Sequence, residues 1–83
     1  MKTQAEIAAW LAEVLVAQFE VPADLIAPEA LLADDLDLDS IDSIDFMVTL
    51  EEKTGMRVEE EELRSLRCFQ DMVELVYGKL AAG

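Results

Sequence analysis

Cys68 is the single cysteine of this 83-residue chain, and the chain contains no histidine. One thiol cannot form an internal disulfide, and the common zinc sites need histidine or several cysteines. A chain of this length buries only about 60% of the surface that its unfolded form exposes. The fold must therefore be held by an apolar core without a cross-link. The lack of histidine also excludes His-based acid–base catalysis and Ser-His triads.

The apolar residues recur at the spacing of helices. A first helix is predicted over residues 4–18, because Thr3 and Glu6 form a T-x-x-E capping box ahead of it. Its buried face follows the i, i+3, i+4, i+7, i+8 pattern and comprises Ile7, Trp10, Leu11, Val14 and Leu15. We expect Trp10 to belong to the core rather than to a binding site.

The rest of the chain indicates three more helices. Pro22 and Pro28 interrupt any helix between residues 19 and 38, so this apolar segment is expected to lie on the core as a long loop. A second helix should run from Asp39 or Ser40 to Thr54, before Gly55. A short third helix is predicted over 59–66 and a last one over 69–80. The expected fold is an all-α four-helix bundle forming one domain, residues 1–83.

The net charge is −13, from nineteen acids and six bases. Thirteen of the acids and only two of the bases lie between Glu29 and Glu62. Such a surface repels nucleic acids and anionic lipids and attracts basic protein surfaces. We also expect the crowding of these acids to raise their pKa values and to weaken the fold near neutral pH. Residues 1–4 lack a signal-peptide layout and no apolar run reaches ~18 residues. A monomeric, cytoplasmic protein without a membrane span is expected.

The second helix has two apolar faces when its residues are placed at ~100° intervals. Phe46 and Leu50 can point into the core. A second stripe consists of Ile41, Ile44 and Val48, with three acids at its margins: Asp45, Glu51 and Glu52. An apolar stripe with carboxylates predicts docking to a partner that has an apolar groove and a basic rim. The alternative is that both faces are buried.

The most acidic segment, residues 34–45, allows three interpretations. Asp35, Asp37 and Asp39 match the first ligands of a calcium-binding EF-hand loop, but Ser40 replaces its glycine and Phe46 its bidentate glutamate, so no metal site is predicted. The acids could instead form a solvated face. Neither interpretation explains a serine at the start of a helix, which is the third possibility, a modification site.

Residues 35–42, with the sequence DLDLDSID, resemble the D-L-G-x-D-S-L-D motif of acyl carrier proteins. The resemblance extends over residues 30–76 and implies the four-helix fold of that family. It implies that Ser40, preceded by Asp39, carries a covalent 4′-phosphopantetheine arm derived from coenzyme A, whose thiol holds acyl groups as thioesters. Asp37 departs from the family's glycine, although aspartate tolerates a left-handed backbone better than most residues. Ser43, the rival hydroxyl, should lie at the core margin.

The resemblance also implies a non-enzymatic carrier. Its expected partners are a phosphopantetheinyl transferase, a ketosynthase, an acyltransferase and other acyl-processing enzymes. The pathway could be fatty-acid synthesis or a dedicated lipid, polyketide or aryl-polyene system. The interior could shelter an acyl chain, with candidate lining residues Phe46, Leu50, Val58, Leu66, Phe69 and Val73. The alternative from another class is an acidic protein-interaction module without a prosthetic group.

Overall fold

The computed structural model describes residues 3–82. Four α-helices follow one another: α1 (Gln4–Phe19), α2 (Ser40–Thr54), α3 (Glu60–Arg64) and α4 (Phe69–Ala82). A single 3₁₀ turn, Ala23–Leu25, lies in the long loop after α1. The described residues form no strand, so the predicted all-α class with a short third helix is confirmed. The predicted domain also includes residues 1, 2 and 83, which lie outside the described range.

Local side-chain bonds define where the helices begin. At α1 the predicted capping box is present, with the Glu6 N–H donating to Thr3 Oγ1 at 3.2 Å. At α2 a reciprocal pair has the Asp42 N–H donating to Asp39 Oδ1 at 3.0 Å and the Asp39 N–H to Asp42 Oδ2 at 3.2 Å. Each box satisfies backbone donors that a helix start otherwise leaves unpaired. Gly55, at φ 72°, ends α2 as predicted.

The last two helices differ from their predicted bounds by a few residues. The third is shorter than predicted because the chain tightens after Arg64, where the Leu66 N–H donates to the Leu63 carbonyl at 3.1 Å. The fourth continues to Ala82. Asp71 stabilises its start, since its carboxylate accepts the N–H groups of Arg67 and Cys68 at 3.0 and 3.2 Å.

The core lies between α1 and α4, and α2 contributes Phe46 and Leu50 to it. Its most buried side chains are Ile7, Leu11, Leu15, Leu50, Val73 and Val76. Phe19 of α1 meets Phe46 of α2 with ring centroids 6.2 Å apart. Trp10 is half-buried and packs against this core, as predicted. No helix in residues 3–82 is long and apolar enough to cross a membrane.

The long loop is fastened to the bundle by both side chains and backbone. Val21, Ala30 and Leu36 are buried in the core, as its apolar composition predicted. The Leu32 N–H donates to the Arg67 carbonyl and the Phe69 N–H to the Ala30 carbonyl, both at 2.9 Å. These bonds fix the segment that leads into α2 against the start of α4.

Helix α3 is attached to α4 by an ion pair. Lys79 Nζ lies 2.9 Å from Glu62 Oε1, and both side chains are partly shielded from solvent. The Glu59 N–H, which donates to Glu62, and the neighbouring Lys79 hold the pKa of Glu62 below its usual value. The expectation that crowding raises carboxylate pKa values is therefore wrong for Glu62. Backbone N–H donation from Arg67 and Cys68 likewise lowers the pKa of Asp71.

Candidate functional site

Ser40 is the first residue of α2 and its side chain is exposed. The turn before it needs a left-handed residue, and Asp37 supplies it at φ 55°. The Leu38 N–H then donates to the Leu32 carbonyl at 3.0 Å, which holds this turn against the loop. The Asp39 carboxylate accepts the Asp42 N–H and caps the helix, so the backbone at Ser40 is held in place.

Ser43 differs from Ser40 although it lies only one turn further along. Its side chain is half-buried, and its hydroxyl donates to the Asp39 carbonyl at 3.1 Å. This bond within the helix is the common arrangement for a helical serine. The prediction that Ser43 is the less accessible hydroxyl is confirmed.

Ser40 lies on the lining of an open groove of about 1110 Å³. The apolar part of that lining comes from α1, the long loop, α2, the α3 region and α4: Leu15, Phe19, Leu31, Leu32, Ala33, Leu38, Ile44, Phe46, Met47, Leu63, Leu66 and Met72. The polar part consists of Asp34, Asp37, Asp39, Ser40, Asp42, Ser43, Glu60, Arg64 and Arg67. The groove is thus apolar along much of its wall and charged beside the serine.

Only two of the predicted lining residues, Phe46 and Leu66, contribute to this groove. The other four, Leu50, Val58, Phe69 and Val73, do not line this groove and are core residues at most 4% exposed. Helical periodicity identifies a face that points inward, but it does not distinguish packed core from the wall of a groove. The arginines on the wall, Arg64 and Arg67, were not predicted, and no sequence signal beyond their i, i+3 spacing indicates them.

The second apolar stripe of α2 is exposed to solvent. Ile41, Ile44 and Val48 are 70%, 48% and 45% exposed, so the alternative of two buried faces is wrong. Asp45 and Glu52 are exposed on the same helix. These five residues are called the α2 outer face below.

Glu51 was predicted with the docking acids, but the structure gives it a second attachment. It is half-buried, and its carboxylate accepts the backbone N–H of Val58 at 3.1 Å. Val58 is itself buried at 4% exposure. Glu51 therefore holds the segment between α2 and α3 against the helix.

The acidic segment does not assemble a metal-binding cluster. Within residues 3–82, no group of three His, Cys, Asp or Glu side chains converges as ligands for an ion. One carboxylate, Asp35, is used locally and accepts the Leu31 N–H at 2.7 Å. The acids around Ser40 act through their charge and through capping.

A family model described as a phosphopantetheine attachment site matches residues 9–76. The chain belongs to the acyl carrier protein family. It is 38% identical over 80 residues to acyl carrier protein 2 of Ralstonia nicotianae, covering 96% of this chain and 99% of that one. It is 34% identical over 79 residues to the acyl carrier protein of Thermosynechococcus vestitus, covering 95% and 98%.

A relative with a more specific name is the meromycolate extension acyl carrier protein of Mycolicibacterium smegmatis, 35% identical over 74 residues and covering 89% of this chain and 75% of that one. The fold agrees as well. A crystal structure of an acyl carrier protein from Thermotoga maritima superposes with a TM-score of 0.83 at 25% identity, covering 95% of this chain and 92% of that one.

Family membership makes this chain a carrier rather than a catalyst, with a covalently attached 4′-phosphopantetheine. The alternative of an acidic interaction module without a prosthetic group is therefore wrong. As a member of the family it interacts with a phosphopantetheinyl transferase and with biosynthetic enzymes.

The residues around Ser40 fit such a group. The hydroxyl is exposed for esterification, and the N–H groups of Ser40 and Ile41 have no acceptor within residues 3–82. Free N–H groups at a helix start favour a phosphate ester. When bound, the arm supplies the thiol that carries an acyl group as a thioester.

Proposed function

We propose that this acyl carrier protein bears its arm on Ser40, with Asp39 fixing the serine at the helix start. The observation that carries this assignment is the contrast between the two hydroxyls of the motif. Ser40 is exposed at the edge of the groove, whereas Ser43 donates its hydroxyl to the Asp39 carbonyl and is half-buried. A transferase can reach the first hydroxyl without unwinding the helix.

The proposed cargo is an acyl intermediate held as a thioester. The apolar wall of the groove provides a surface against which a hydrocarbon chain loses contact with water. The pathway is fatty-acid synthesis or a dedicated lipid, polyketide or aryl-polyene system. One relative is named for meromycolate extension, which supports a dedicated lipid pathway as one of these options for this chain.

The proposed partners dock on the α2 outer face. Its three apolar side chains supply contact area, and Asp45 and Glu52 attract a basic rim. Ketosynthases, acyltransferases and the phosphopantetheinyl transferase are the partners proposed for this surface. Glu51 belongs to the same helix, but its carboxylate accepts the Val58 N–H and so holds the segment after α2 against the helix. We place this activity in a monomeric, single-domain protein in the cytoplasm.

Intact-mass measurement after incubation with coenzyme A and a phosphopantetheinyl transferase tests the attachment site. The wild-type chain and Ser43→Ala should gain the mass of one arm, and Ser40→Ala should gain none. The two serines lie on one helix, so Ser43→Ala is a matched control for folding and for recognition by the transferase. A normal mass gain by Ser40→Ala would overturn the assignment.

A further inference from the structure

Two of the chain's six bases, Arg64 and Arg67, line the groove that contains Ser40. They differ in what their guanidinium groups contact. Arg64 Nη2 lies 2.7 Å from Glu60 Oε1 in an exposed ion pair. Within residues 3–82, the Arg67 guanidinium forms no hydrogen bond or close ion pair, and Asp71 acts on it only at longer range. Arg67 is therefore free to bind an anion.

The backbone connects Arg67 to the turn before Ser40 through two hydrogen bonds. The Leu32 N–H donates to the Arg67 carbonyl at 2.9 Å, and the Leu38 N–H donates to the Leu32 carbonyl at 3.0 Å. Backbone segments paired in this way lie about 5 Å apart, so the two bonds place Leu38 within roughly 10 Å of Arg67. Leu38 lies two residues before Ser40. Arg67 and Ser40 line the same groove, so the long, flexible arginine side chain can extend toward a group attached to that serine.

The carboxylates beside Ser40 favour a cation close to that serine. Four carboxylates of the same groove lining surround the attachment region: Asp34, Asp37, Asp39 and Asp42. A phosphodiester on Ser40 adds a further negative charge among them, and like charges at short range repel. A guanidinium presents two N–H groups in a planar fork that matches two phosphate oxygens. The free arginine of the same groove offsets that repulsion.

We propose that Arg67 binds the phosphodiester of the prosthetic arm and is the positioning residue that directs the arm along the groove. The contact is a reversible, charge-assisted hydrogen bond. Arg64 also lines the groove, but its guanidinium is paired with Glu60. This inference rests on the proposed attachment at Ser40.

Nuclear magnetic resonance of apo and holo protein tests the contact without using activity. The holo form is made with coenzyme A and a phosphopantetheinyl transferase. In wild-type protein at low salt, arm attachment should shift the Arg67 side-chain N–H resonances and leave those of Arg57 in place. Arg57 is the matched control because it is exposed, pairs with Glu59 and does not line the groove. Added salt should reduce the Arg67 shift.

The ³¹P resonance of the holo protein provides the second measurement. Arg67→Gln should move this resonance most of the way to that of the arm in the unfolded protein, Arg67→Lys should move it part of the way, and Arg57→Gln should leave it unchanged. Equal melting temperatures of the apo variants would show that the effect is not a folding defect.

An unchanged ³¹P resonance in holo Arg67→Gln would overturn the inference. So would a shift of the Arg67 resonances that occurs only after loading with a dicarboxylic acyl group, since this would identify Arg67 as a cargo-binding residue. Intact mass separates either result from a failure of the attachment assignment, because Ser40→Ala reports on attachment independently of Arg67.

Discussion

Helix α2 presents two apolar faces of similar composition with different surroundings. Phe46 and Leu50 on the inner face are 5% and 0% exposed, whereas Ile41, Ile44 and Val48 on the outer face are 45–70% exposed. Apolar side chains stabilise a fold in proportion to the area they remove from water. The inner face therefore contributes to stability. The outer face keeps its apolar area available for a partner.

The carboxylates divide in the same way. Glu51 accepts the Val58 N–H, and Glu62 caps α3 and pairs with Lys79 of α4, so both carboxylates connect segments of the bundle. Asp45 and Glu52 are exposed on the outer side of α2, and no hydrogen bond or ion pair engages their side chains within residues 3–82. Glu51 thus stabilises the fold, whereas the neighbouring Glu52 serves, by our proposal, in docking.

Truncation of the two faces should give the largest difference. Leu50→Ala removes a fully buried side chain and should lower the free energy of unfolding by about 2–5 kcal/mol, because it loses apolar burial and leaves a cavity. Ile41→Ala, at a position 70% exposed, should change it by less than about 0.5 kcal/mol. Urea denaturation measures both. Equal losses for the two variants would mean that the outer face is part of the core.

Charge reversal should affect docking without affecting folding. Asp45→Lys combined with Glu52→Lys should slow acyl transfer by a ketosynthase or acyltransferase roughly tenfold or more at low salt, because electrostatic steering is lost. The control is Glu13→Lys with Glu74→Lys, which reverses two exposed acids on α1 and α4. Transfer kinetics should converge at high salt, and circular dichroism should stay unchanged. Equal slowing by the control pair would place the docking surface elsewhere.

The adjacent glutamates Glu51 and Glu52 offer a matched pair for stability. Glu51→Ala leaves the Val58 N–H without its acceptor and should lower the free energy of unfolding by roughly 1 kcal/mol. Glu52→Ala removes an exposed acid of the same type and should leave stability nearly unchanged. Thermal or urea unfolding compares them. Similar values would show that the Glu51 bond contributes nothing to the fold.

The smallest effect is expected in the acid range. The folded-state pKa values of Glu62 and Asp71 are lowered because their carboxylates accept backbone N–H groups. A group with a lowered folded pKa contributes stability in full above its unfolded value, about 4, and loses it as the pH falls through the folded value. The melting temperature should therefore decline in this range.

Two variants isolate that decline. Glu62→Gln and Asp71→Asn should make the melting temperature less dependent on pH below about 4, whereas Glu13→Gln should not. Glu13 is exposed on α1 and serves as the control. Identical pH profiles for all the variants and the wild type would contradict the assigned origin of the decline.

The sequence predicted the helices well because their signals are local. The Thr3–Glu6 capping box and Gly55 occupy the predicted positions, and each acts within one helical turn. The left-handed conformation of Asp37 follows from the tolerance of aspartate for that region. Residue identity alone was sufficient to locate these features.

Resemblance to the acyl carrier motif identified the family and its prosthetic group, and the α2 spacing identified the outer face. The sequence determined these features because both the motif and the helix period extend over a few residues. Only the tertiary structure showed that Glu51 is engaged by Val58, that Leu50 lies in closed core and that Arg67 enters the groove beside Ser40. These outcomes depend on how distant segments pack. A side chain lines a groove, is buried in the core or accepts a hydrogen bond only when another part of the chain lies against it.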